Sequence, residues 1–153
     1  MPLEQAIKRG LGYGALATLV MTLIMATGMA TGIAPMPEPI PEAIANLMLG
    51  LVVGNVSNPV TMITGMIMHF GYGATMGALF AVLFKEKCNW QYGLLWGGIL
   101  WVVMQILVLP MIGWGFFGIG ITGFPPKIAV GTLLLHLVYG GILGGGIGQI
   151  KVN

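Results

Sequence analysis

Apolar residues in this chain come in four long runs rather than in alternation, and each run is long enough to predict a membrane-crossing helix. A hydrocarbon crossing takes about 20 apolar residues at 1.5 Å rise. The runs fall near Leu11–Ile33, Pro59–Phe84, Trp90–Ile112 and Ile128–Ile150. Polar residues punctuate them unevenly. Lys8 and Arg9 precede the first run, Lys85, Glu86 and Lys87 separate the second from the third, and Lys151 follows the fourth. Five of the six basic residues thus fall on one side, and only Lys127 on the other. The positive-inside rule makes the basic side cytoplasmic, with both termini inside. The first run exceeds the apolar core of a secretory signal, about 7–15 residues, so a retained helix is expected.

The two outer connections are long. The first, "PMPEPIPEAIANLMLGLVVGNVSNP", places proline at every second position from Pro35 to Pro41, which fixes an extended segment. A short helix is expected to follow, with Pro41 and Glu42 in its first turn. Ile44, Leu47, Met48, Leu51 and Val52 form an apolar stripe at helical spacing, predicting an interfacial helix lying on that face. Asn58 and Pro59 read as an N-cap and first residue of the second crossing. The other outer connection, "PMIGWGFFGIGITGFPPK", mixes glycine with aromatics suited to the headgroup level.

Composition supports this class. The 153 residues are 57% hydrophobic and 7% charged, with mean hydropathy +0.95, against a charged fraction of about 25% in water-soluble domains. Aspartate is absent and the four acidic residues are Glu4, Glu38, Glu42 and Glu86, which excludes a carboxylate cluster for a hard cation or a glycosidase-type pair. A single Cys88 permits no internal disulfide. The expected fold is all-α, a polytopic single membrane domain over residues 1–153.

The two histidines fall in matched frames, "HFGYGATMG" at 69–77 and "HLVYGGILG" at 136–144. Each half of the chain is a helix, an outer connection and a helix carrying this frame. That predicts two parallel two-helix repeats, residues 1–87 and 88–153. All four tyrosines, Tyr13, Tyr72, Tyr92 and Tyr139, are followed by glycine, one in each helix. His69 and His136 lie sixteen and fifteen residues from Lys85 and Lys151, so both sit roughly 22–24 Å from the basic side. Gln105 and Met25 fall near the same layer. Within each frame, Gly73 and Gly77, and Gly140 and Gly144, share a helix face with the histidine. Two readings follow. His69 and His136 can be axial ligands of haem b between the second and fourth crossings, with the glycines making room for the macrocycle. Alternatively the glycines pack helices, and each imidazole is hydrogen-bonded across the bundle.

Methionines Met21, Met25 and Met29, and Met62 and Met66 with His69, recur at helical spacing. Such stripes can hold Cu(I), but the spacing is also that of a packing face, and no metal site is assigned. No nucleophile triad, phosphate loop or paired membrane carboxylates are present, so no catalytic residue is assigned either. The stretches "ATLVMTLIMATG", "GIAPMPEPIPEAIA", "LPMIGWGFFG" and "HLVYGGILG" together resemble a group of small prokaryotic four-helix membrane proteins of uncharacterised function. That resemblance implies the topology and no activity or cofactor. The expected role is a non-catalytic accessory or assembly subunit, without a cofactor of its own, docking its glycine faces on other integral membrane subunits. The expected host is a respiratory oxidase or a copper membrane monooxygenase. The alternative is an electron-transfer subunit binding haem b through His69 and His136.

Overall fold

The computed structural model describes residues 1–124 and 126–149. Four of its helices are long and apolar enough to cross a membrane: α1 (Leu3–Ala30), α3 (Asn58–Phe84), α4 (Trp90–Met111) and α5 (Lys127–Gln149). A shorter helix, α2 (Ile40–Val53), lies in the first long connection. No strand occurs among the described residues. Ile150 and Lys151, expected at the end of the fourth crossing, lie outside the described residues.

Helix α1 starts eight residues before the apolar run does. Pro2 precedes its first turn and Glu4 accepts a 2.5 Å bond from Lys8 one turn later, so the polar N-terminal turns remain helical on the surface. Ser57, rather than Asn58, precedes α3, and no side chain caps it. Helix α4 is capped as its sequence allows, the Asn89 side chain accepting the Tyr92 amide at 3.0 Å. Near its far end, Met104–Val108 widen into a π-turn. Pro110 lies just beyond; its ring clashes with the carbonyl four residues back and it has no N–H to donate, and a wider turn accommodates both.

The crossings pack as two close pairs, α1 with α3 and α4 with α5, joined where α1 meets α5. Glycine makes each seam. A Cβ on Gly77 would overlap the Gly10 carbonyl, and one on Gly14 the Gly73 carbonyl. In the second pair, a Cβ on Gly144 would overlap the Asn89 carbonyl, and one on Gly93 the Gly140 carbonyl. The glycine after the tyrosine in each crossing, Gly14, Gly73, Gly93 and Gly140, therefore lies in a seam where the backbones touch. The frame glycines pack on helices of the same chain, while others such as Gly71 and Gly98 face open space.

The amino group of Met1 pairs with Glu86, which brings the N-terminus to the short connection between α3 and α4. This end also carries Lys8, Arg9, Lys85 and Lys87, while Lys127 starts α5 at the opposite end. At the basic end Phe80, Phe84, Tyr92 and Trp96 stack between α3 and α4. At the Lys127 end a second core gathers Ile40, Ala43, Leu109, Trp114 and Ile128. Trp114, expected with the aromatics at the headgroup level, is buried there because the chain reverses through Gly113 and Gly115, both at positive φ.

Helix α2 meets α3 on a face other than the stripe read from periodicity. It packs on α3 through its first turns, with Ile40, Pro41, Ala43 and Ala45 buried and the Pro41 carbonyl against Gly65. Met48, Leu51 and Val52 of the expected stripe face outward. Small residues permit close backbone approach, and that outweighs the larger apolar side chains.

Candidate functional site

Helices α3 and α5 make no extended contact; they face one another across the middle of the bundle. Their link is one hydrogen bond, donated by the Tyr139 hydroxyl to the Gly73 carbonyl at 2.6 Å. Beside it lies a cavity of about 310 Å³, and both histidines line it. Its wall includes Thr18, Met21 and Met25 of α1, Met68 of α3, Met104 and Met111 of α4, and Thr132 of α5, with Ile40, Pro41 and Ile44 of α2 over it. Its size falls at the lower end of the range for small-molecule sites, ~300–1,000 Å³. If dry and sealed, an apolar void of about 310 Å³ would cost on the order of 7 kcal/mol. The opening of the cavity between helices lets a ligand or lipid chain fill it.

His136 is buried, and its Nδ1 lies 2.8 Å from the Thr132 carbonyl of its own helix. A carbonyl only accepts, so Nδ1 carries the proton and Nε2 of the neutral ring keeps a lone pair. His69 is half-buried, and its Nε2 has no hydrogen-bond partner among the described residues. The expected bonding of each imidazole across the bundle is corrected: His136 bonds within α5, and His69 Nε2 bonds to nothing described.

Gln105, from the π-turn, is fully buried and donates Nε2 to the Thr132 hydroxyl at 3.1 Å. The single Thr132 hydroxyl proton points to the Ile128 carbonyl at 2.7 Å, with the Ala129 carbonyl at 3.1 Å beside it. Gln105 thus braces the turn of α5 whose carbonyl orients His136. The Gln105 Oε1 atom is buried without a described partner. The layer inferred from sequence counting holds together here: His69, His136 and Met25 line one cavity, and Gln105 stands behind Thr132.

Other expected features fall elsewhere. Gly73 reaches the cavity edge, but a Cβ there would strike the Thr18 hydroxyl, and Gly77, Gly140 and Gly144 face backbones in the seams. They admit a helix rather than a macrocycle. Of the methionine stripes, Met21 and Met25 line the cavity, whereas Met29, Met62 and Met66 do not; Met68, Met104 and Met111 complete the thioether wall instead. Spacing along one helix cannot tell which turn faces the bundle centre. Among the described residues no three His, Cys, Asp or Glu side chains converge.

Tyr139→Phe removes the one hydrogen bond between α3 and α5 among the described residues and leaves the ring in place. We expect a loss of about 0.6–1.7 kcal/mol, the range for interhelical bonds in membranes, in a detergent unfolding titration. No loss would mean that packing alone holds the two helices at this level.

No curated protein and no solved structure matches the chain. One family model matches residues 4–152. Spanning nearly every residue, that match places the chain in DUF6789, a family of unknown function.

Proposed function

We propose that the protein is a membrane-embedded ligand-binding subunit of an electron-transfer complex, holding a small molecule between α3 and α5 in contact with His69 and His136. The observation that carries this reading is that the chain's two histidines, from separate helices with no extended contact, line one cavity. Ionisable side chains inside a membrane are costly and mark functional positions. The frame glycines are used in seams within the chain, so this reading places the function in the cavity between the seams. The subunit serves a larger membrane oxidoreductase, with a respiratory oxidase or a copper membrane monooxygenase as the expected host. Native mass spectrometry from mild detergent tests the binding. A non-protein mass should accompany the parent chain and be missing from His69→Gln. Bare chains in both samples would contradict the reading.

The matched seams, each built on the glycine that follows a tyrosine, support two repeats, 1–87 and 88–153. The unequal basic ends support a cell-membrane protein with both termini cytoplasmic. A reporter fused after Asn153 should then be cytoplasmic, and one inserted near Glu38 or Gly120 should be outside. A C-terminal reporter accessible only from outside would reverse the orientation.

A further inference from the structure

We infer that the ligand of this cavity is an isoprenoid quinone, its ring between α3 and α5 beside His69 and its tail in a second cavity between α1 and α5; the inference rests on the binding reading above. The second cavity, of about 170 Å³, shares Met25, Thr132 and Leu135 with the first, so the two adjoin. Ile24 of α1 and Leu134 of α5, both exposed on the outer surface, line it too, as does Gly131. Lys127, the first residue of α5, carries it toward the end of the bundle. The joined space thus leads from the middle of the bundle to the surrounding lipid. Such a space takes a compact head with a flexible apolar tail.

The polar atoms of the first cavity fit the oxygens of such a head. His69 Nε2 is buried without a described partner, and a neutral imidazole can carry its proton on that nitrogen. A quinone carbonyl, which only accepts, satisfies it. Nδ1 of His136 donates to the Thr132 carbonyl, so Nε2 keeps a lone pair. The hydroxyl of a reduced ring, which donates, therefore finds an acceptor in the same wall. The chain presents one partner for each oxidation state of the ring. Met21, Met25, Met68, Met104 and Met111 line the cavity; thioethers make favourable contacts with aromatic rings, and their unbranched side chains adapt to a flat outline. A quinone is neutral, which agrees with a lining that holds no lysine, arginine or carboxylate.

Decylubiquinone and the tail-less ubiquinone ring, each titrated into the purified chain in mild detergent and followed by native mass spectrometry, test this. The parent should bind one decylubiquinone saturably. His69→Leu should weaken both probes by at least about fivefold, because a buried ring oxygen loses its partner, with helicity by circular dichroism matching the parent. Gly131→Phe should weaken decylubiquinone by at least about tenfold, the worth of about two buried methylenes, and spare the tail-less ring. A Cβ on Gly131 meets nothing within 4 Å, so the new side chain enters the tail cavity without disturbing a seam. Equal binding to parent and variants would be partition into detergent and would overturn the assignment, as would a Gly131→Phe loss shared by both probes. The chains as purified separate the two claims. A fatty acid, phospholipid or metal mass lost in His69→Gln, with no saturable quinone complex, would overturn the quinone and leave the binding reading standing; bare chains throughout, again with no saturable quinone complex, would overturn both.

Discussion

Gly77→Leu and Gly144→Leu should each prevent the bundle from assembling, while Gly71→Leu and Gly98→Leu should not. At Gly77 and Gly144 an added side chain meets backbone, the carbonyls of Gly10 and Asn89. Backbone in a helix cannot step aside as a flexible side chain can. Overpacking an ordinary core costs about 1–3 kcal/mol, and these two sites should exceed that, a large share of a typical ~5–15 kcal/mol total. Gly71 and Gly98 have no neighbour within 4 Å of an added Cβ, so leucine there extends into open space. Unfolding titrations should place them within about 1 kcal/mol of the parent, allowing for the gain in helix propensity over glycine. Equal damage at all four positions would mean that the chain tolerates no bulk anywhere on its glycines and that the seams have no special role.

His69→Gln and His136→Gln should each remove most of the bound ligand, and the double variant should do no further harm. Two groups gripping one ligand act as a unit, and their effects fail to add. An amide preserves some hydrogen bonding but not the ring of the imidazole. Retention of ligand, scored per mole of chain in the three variants, therefore separates joint from independent roles. Independent losses that sum in the double variant would mean two unrelated packing residues.

The four crossings were legible because each is an apolar run bounded by charge or proline, and the short α2 because Pro41 and Glu42 mark its start. Its packing face was not legible. Periodicity weights bulk, whereas α2 docks through Ala43, Ala45 and the Pro41 carbonyl against Gly65. Counting residues from the charged ends put His69 and His136 in one layer, since depth follows from the fixed rise of a helix, and both line one cavity. Rotation about the helix axis does not follow from counting. The frame glycines, expected either to pack helices or to make room for a macrocycle, lie in the helix seams. For the same reason the methionine spacing could not show that Met21, Met25, Met68, Met104 and Met111 line the cavity while Met29, Met62 and Met66 do not. The Met104–Val108 π-turn had a signal, Pro110 inside an apolar run. Its consequence, Gln105 turned onto Thr132, depends on a partner 27 residues away that no local pattern reveals.

The most direct measurement is a crystal structure of the chain as purified from its membrane. The account predicts non-protein density in the cavity, in contact with both His69 and His136. A cavity closed by its methionines, with the two rings bonded to separate helices and no such density, would contradict it.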